Sequence, residues 1–222
     1  MMLWAIAILL FIAILAIAFI LNFYKDPKRD MPKGNNIVAP ADGKIISVID
    51  TSVNRTAISD SAQKSSIFDT SRNNIKIKKG LLGKIKTYAK DVAKECYVVS
   101  IFMSPFDAHY NRAPIGGKIK SINHTKGRFF KAYDLEKSFE NEKNEIVIQN
   151  KNLKIKVIQI AGFLARRIIC QVKVNQKVNK GQKIGFIALG SQTTIILPKR
   201  LKLKVKADDK VKAGQTIIAV LK

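Results

Sequence analysis

The sequence is poor in the groups that most often advertise a binding chemistry: it has two cysteines, two histidines and one tryptophan in 222 residues. Cys96 and Cys170 lie far apart in apolar, strand-like runs (ECYVVSIF and RRIICQV). That spacing offers neither a disulfide framework nor a zinc pattern, and both read as small buried thiols suited to a reducing compartment. There is no glycine-rich phosphate loop. Acidic residues are scarce as well, 16 against 40 Lys and Arg, which leaves a net charge of +24. Such a charge suits nucleic acid or an anionic lipid surface. The basic residues are spread along the chain, with no arginine-rich tract and no aromatics interleaved as a stacking platform. Nucleic acid is therefore the poorer partner.

Charge is missing altogether from Met1 to Leu21, an unbroken apolar run. As a helix it is about 30 Å long, at ~1.5 Å per residue, the thickness of a bilayer core. A secretory signal would have a charged start, a shorter apolar stretch and a small-residue cleavage site, and the sequence has none of these. Instead Tyr24 suits the headgroup level, and Lys25, Lys28, Arg29 and Lys33 place the positive charge on the C-terminal flank. These features predict a retained single-pass anchor (1–22) in the cell membrane, a juxtamembrane segment (23–35) and a domain (36–222) on the cytoplasmic side.

Beyond the anchor the pattern is mainly β. Asn36 to Ile49 reads as strand, Asp42-Gly43 turn, strand, a hairpin in form. Residues 51–74 are rich in Ser, Thr, Asn and Asp without steady periodicity, which predicts a long surface loop. Strands are predicted at Cys96–Met103, Lys118–Ile122, Glu145–Gln149, Leu153–Ala161 and Ile168–Val174, and one short helix near Phe129–Glu142. A repeat occupies the C-terminal third: Val178, Gly181 and Gln182 recur as Val211, Gly214 and Gln215, 33 residues on. Each copy is a strand, a polar turn and a Gly-Gln turn into another strand. The unit resembles a half-repeat of the lipoyl and biotinyl domains, a barrel-sandwich architecture, and two copies suit a compact β domain rather than a solenoid.

Between the copies lies Phe186-Ile-Ala-Leu-Gly190-Ser191-Gln-Thr-Thr-Ile-Ile-Leu-Pro198. Gly-Ser alone is a common turn. It is also what self-cleavage through serine needs, because a hydroxyl must attack the preceding carbonyl and a glycine there admits the strained geometry. The attack requires a general base, ordinarily a histidine oriented by a carboxylate. His109 sits in Ser104-Pro-Phe-Asp-Ala-His-Tyr-Asn-Arg-Ala-Pro114, held on a loop between two prolines. His124 sits in Asn123-His-Thr-Lys-Gly-Arg-Phe129. Asp42, in the Pro40-Ala-Asp-Gly43 turn, is the carboxylate candidate.

Taken together, these blocks resemble the phosphatidylserine decarboxylase family in its short prokaryotic form, which includes the archaetidylserine decarboxylases. The likeness runs from Phe23-Tyr-Lys-Asp-Pro-Lys-Arg29 through the Asp42 turn, the His109 loop and His124–Phe129. It continues through Glu140-Asn-Glu142, Ile160-Ala-Gly162 with Ala165-Arg-Arg-Ile168, to Leu189-Gly-Ser191. The resemblance implies a proenzyme cut between Gly190 and Ser191 into a β chain (1–190) and an α chain (191–222), which stay together as a heterodimer. Ser191 would become a pyruvoyl group, whose carbonyl acts as electron sink through a Schiff base with the substrate amine, so that no dissociable cofactor or metal is required. The substrate would be an anionic serine phospholipid, converted to the ethanolamine lipid. Asp42 resembles the carboxylate of the self-cleavage triad, and His109 the histidine of decarboxylation.

Long-form bacterial members carry a second histidine where this chain has Arg112. Two assignments stay open: His124 completes the triad with Asp42 and Ser191, or His109 serves both steps. Gln192 and Lys143 stand where arginine is common. Arg112, Arg166 and Arg167 are candidates for gripping a phosphate or carboxylate. The alternatives are a membrane-anchored lipoyl-like transport adaptor and a carrier domain. The first would want a heptad-patterned helical hairpin, and the second a lysine where Gly190-Ser191 stands.

Overall fold

A computed structural model describes residues 2–52, 66–69, 74–78, 84–89, 91–126, 142–162, 167–187 and 191–221. The apolar run forms α1 (Met2–Phe23), the one helix among the described residues long and apolar enough to cross a membrane. Its side chains from Leu3 to Leu21 face outward, and only at its last residue, Phe23, does it become buried.

The rest is β. The strands are β1 (Asn36–Val38), β2 (Gly43–Asp50), β3 (Ser66–Asp69), β4 (Asn74–Lys78), β5 (Lys84–Tyr88) and β6 (Cys96–Met103). They continue with β7 (Tyr110–Arg112), β8 (Gly117–Thr125), β9 (Lys143–Asn150), β10 (Leu153–Ile160), β11 (Ile168–Cys170) and β12 (Lys177–Val178). The last are β13 (Lys183–Ile187), β14 (Ser191–Pro198), β15 (Leu201–Leu203), β16 (Lys210–Val211) and β17 (Ile217–Leu221). The main sheet has the order β12-β8-β9-β10-β14-β6-β2-β16, flanked by the small sheets β1-β17-β15 and β11-β13-β7.

That order is a palindrome, and the sequence explains why. The repeat with a 33-residue offset matches element to element: β11, β12 and β13 correspond to β15, β16 and β17. Asn175 and Asp208 take the same left-handed conformation at one turn, and Gly181 and Gly214 at the next. Glycine, asparagine and aspartate are the residues that tolerate this backbone. A second repeat joins the remaining strands. Ala39-Pro40-x-x-Gly43-Lys44-Ile45-x-Ser47 recurs as Ala113-Pro114-x-x-Gly117-Lys118-Ile119-x-Ser121. Both copies carry a β-bulge just after the isoleucine. The domain is thus two similar halves, 110–187 being inserted between β6 and β14 of the other, with β10 and β14 meeting at the centre.

β14 has no alternating pattern because both its faces are covered, and all eight of its residues are buried. Ile195, Leu197, Val157, Val99 and Ile101 fill the larger core on one side of the sheet. Ile196, Ile158 and Val98 pack on the other side under Ala89, Val92 and Ala93. Full burial of each such side chain stabilises by about 1.5–3 kcal/mol.

Three expectations change. Asn36–Ile49 is not a hairpin: β1 pairs with β17, while β2 pairs with β6 and β16, so the Asp42-Gly43 turn carries the chain from one sheet to another. The predicted loop at 51–74 contains strand at Ser66–Asp69, which with β4 and β5 makes a separate three-stranded sheet. Strand is present at Ile168–Cys170 but does not reach Val174. The predicted helix near Phe129–Glu142 lies outside the described residues apart from Glu142.

Candidate active site

Ser191 is the first residue of β14, opposite Met103 at the end of β6. Its side chain is fully buried, and its Oγ has no hydrogen-bond partner among the described residues. Immediately after Met103 the chain turns tightly: Asp107 Oδ2 accepts hydrogen bonds from the Ser104 backbone N–H and hydroxyl, both at 2.7 Å. This turn delivers His109, which is also fully buried. The His109 carbonyl accepts a bond from the Ile187 N–H, four residues before Ser191.

The imidazole is fixed in tautomer. Nδ1 lies 2.9 Å from the Asp107 carbonyl oxygen, which only accepts, so Nδ1 carries the proton and Nε2 keeps its lone pair. Nε2 is buried with no partner among the described residues. Burial pushes the His109 pKa below its ordinary value, and Lys25 acts the same way. The Asp107 carbonyl and the Asp107 and Asp42 carboxylates oppose them without prevailing. A neutral imidazole with a free basic nitrogen and a free buried serine hydroxyl therefore share one end of the sheet.

A buried amide network runs between their chain neighbours. Asn111 Nδ2 donates to Thr193 Oγ1 at 3.0 Å, and Asn111 Oδ1 accepts from Gln159 Nε2 at 2.8 Å. Gln159 Oε1 in turn accepts from Asn144 Nδ2 at 2.9 Å. His109 and Ser191 each stand two residues before the Asn111–Thr193 bond. Nothing in a single sequence marks this network, since Asn and Gln in strands are usually read as surface.

Other candidates are placed differently. Asp42 accepts from Arg29 Nη2 at 2.7 Å and from the Ala213 N–H at 2.7 Å, so it faces the juxtamembrane segment and no histidine nitrogen. His124 Nε2 lies 2.7 Å from Glu142 Oε1. Its strand, β8, is three ladder steps from β14 through Asn144 and Gln159, about 14 Å at ~4.8 Å per strand. The geometry does not bring His124 together with Asp42 and Ser191. Arg112 donates to the Gly181 carbonyl at 2.8 Å and to Asp26 Oδ1 at 2.5 Å, which removes it from the free headgroup contacts. Arg167 is exposed. Arg166 and Gly190 lie outside the described residues. No cluster of three or more metal-ligating side chains occurs among the described residues. A cavity of about 980 Å³, with Lys180 and Arg200 in its wall, opens at the β9–β10 turn. It is roughly 25 Å along β10 from Ser191 at ~3.3 Å per residue, remote from the chemistry.

The segment after α1 is bonded to the β domain. Asp26 pairs with Arg112 and Lys183, and Arg29 with Asp42. Burial works to raise the Asp26 pKa, but the Lys183 and Arg112 contacts outweigh it and hold the carboxyl below its usual value.

These features define a β protein with an N-terminal apolar helix, whose centre is a buried serine at a strand start and a buried, neutral histidine at the same end of the sheet. The sequence profile of the phosphatidylserine decarboxylase family matches residues 16–219, and the chain belongs to that family. A Methanocaldococcus jannaschii protein named as an archaetidylserine decarboxylase proenzyme is 41% identical over 207 residues, covering 91% of this chain and 89% of that protein. Phosphatidylserine decarboxylase proenzymes of Desulfotalea psychrophila and Chlorobium limicola are 36% and 34% identical, each over 95% of this chain and over 83% and 82% of their own lengths.

Proposed function

We propose that this chain is a proenzyme that cuts itself between Gly190 and Ser191 and then decarboxylates a serine-headgroup phospholipid, phosphatidylserine or archaetidylserine, to the ethanolamine lipid. The observation that carries this reading is the pair of buried, unpartnered polar atoms, Ser191 Oγ and His109 Nε2. Such groups cost stability unless function retains them. In the first step His109 Nε2 takes the Ser191 hydroxyl proton as Oγ attacks the Gly190 carbonyl. The peptide C–N bond breaks, the Ser191 nitrogen leaves as an amine with the proton that His109 held, and an ester forms. Removal of the Ser191 α-proton expels Oγ with the Gly190 carboxylate, leaving a dehydroalanine that water converts to a pyruvoyl group and ammonia.

The site fits that group, since it is made from Ser191 in a buried position with an unengaged nitrogen nearby. Once formed it would supply the electron sink for loss of carbon dioxide. His109, carrying a proton on Nε2, would return it to the substrate carbon. His109 thus serves both steps, and Asp42 acts on it through its charge at a distance. β14 is bonded on both sides, to β10 and β6, so the α chain (191–222) stays bound after the cut. Arg167, with Arg166 before it, would grip the lipid phosphate or carboxylate. α1 would cross the cell membrane with the domain on the cytoplasmic side, as the basic residues after it favour.

Ser191→Ala tests this directly: it should remain one chain and release no carbon dioxide from serine lipid. His109→Ala should also stay uncut, while His124→Ala should mature. An uncut His124→Ala beside a normally cut His109→Ala would return the base to His124.

A further inference from the structure

We propose that Phe23, the last residue of the membrane helix, is a positioning residue for His109, so that the anchor is a working wall of the active site as well as a tether. This inference rests on the proposed role of His109. Phe23 is 4% exposed, in contrast to the outward-facing helix before it. Its ring lies 4.2 Å from the imidazole, centroid to centroid, at 39°. It meets Phe186 edge-on at 5.6 Å, and Phe186 is stacked on Tyr24 at 5.3 Å. Edge-on and offset rings at these spacings are the favoured aromatic arrangements. Lys25 Nζ then donates to the Phe106 carbonyl at 2.6 Å, pinning the His109 loop to the helix end. Phe23 therefore covers one face of His109 with apolar surface and holds its ring against the end of α1.

Two consequences separate this role from simple packing. Without the Phe23 ring, water reaches the imidazole and the desolvation that favours its neutral form weakens. The charged groups acting on His109 remain Asp107 on its own loop, Lys25 after α1 and Asp42 after β1. Cleavage needs the neutral imidazole, so its rate falls as pH drops through the His109 pKa, and relief of burial moves that acid limb to higher pH. The looser ring also slows the step itself, by about tenfold for a displacement of a fraction of an ångström.

The test is the pH profile of self-cleavage of the full-length proenzyme in lipid nanodiscs, for wild type, Phe23→Ala, Phe23→Leu and Tyr24→Ala. Tyr24 meets Phe23 edge-on at 5.4 Å and stacks on Phe186 but does not touch His109, so its loss should loosen the same aromatic cluster and leave the acid limb in place. Phe23→Ala should slow cleavage about tenfold and shift the limb upward. Phe23→Leu, which keeps apolar cover, should shift it less and supplies the measurement if the alanine variant does not fold. Unmoved limbs in both Phe23 variants, or an equal shift in Tyr24→Ala, would overturn the proposal. A wild type that is never cut would instead overturn the function on which it rests.

Discussion

Replacing Asn111 by alanine should damage both stability and maturation, by amounts that follow from its contacts. Asn111, Gln159 and Thr193 are fully buried. The substitution strips Gln159 Nε2 of its 2.8 Å acceptor and Thr193 Oγ1 of its 3.0 Å donor. A buried polar group left without a partner costs about 1–3 kcal/mol. The Thr193 hydroxyl retains a weak 4.0 Å contact with Met103 Sδ, so the expected total is about 2–4 kcal/mol. For a domain of this size that lowers Tm by roughly 5–15 °C. The measurement is a circular-dichroism melt in detergent on the Ser191→Ala background, where every molecule is uncut. Thr193→Val and the double variant should show a coupling of about 1 kcal/mol with Asn111→Ala. With Ser191 restored, Asn111→Ala should slow self-cleavage about 10²-fold, because the lost bond joins the two segments that carry His109 and Ser191, two residues on from each. A Tm change under about 2 °C with normal cleavage would refute the reasoning.

Two further predictions concern the anchor segment and the thiols. Arg29→Ala leaves the Asp42 carboxylate, with a side chain only 13% exposed, without its cation, and should destabilise by about 3 kcal/mol in the same melt. Arg29→Ala/Asp42→Ala should recover part of that loss, and a double variant as unstable as the sum of the singles would contradict a coupled pair. Burial pushes the Cys96 thiol up to about 11, whereas Cys170 is only half-buried. A maleimide at pH 8 should therefore add once to the native protein and twice after denaturation, and native labelling of Cys96 would oppose this account.

What the sequence made legible was local. The apolar run, the Gly190-Ser191 pair and the 33-residue repeat each declare themselves in a short window, and the repeat recurs in the fold down to the left-handed turns at Asn175 and Asp208. Contacts between distant segments were not legible. Asp42-Gly43 carries the residues of a hairpin turn, but its aspartate is engaged by Arg29 and Ala213, and its strands pair elsewhere. His124 looked available for the serine because only two histidines exist, while Glu142, 18 residues on, takes its Nε2. The same holds for the stretch from Phe23 to Arg29. Its charges read as a flank for the membrane, yet Asp26 and Arg29 grip the catalytic domain. A repeat with a 74-residue offset went unseen because only Ala-Pro, Gly-Lys-Ile and Ser survive in both copies, and their meaning lies in sheet geometry. Gly43 is the clearest case. Its backbone is left-handed, and a Cβ there would collide with the Phe102 carbonyl of the neighbouring strand.

If Ser191 becomes the reactive group by cutting the chain before it, an intact-mass spectrum of the purified wild-type protein will contain two chains divided between Gly190 and Ser191, the smaller lighter than its simple hydrolytic product by one ammonia. A single chain of full mass, persisting in membranes after long incubation, would contradict it and leave Gly190-Ser191 an ordinary turn.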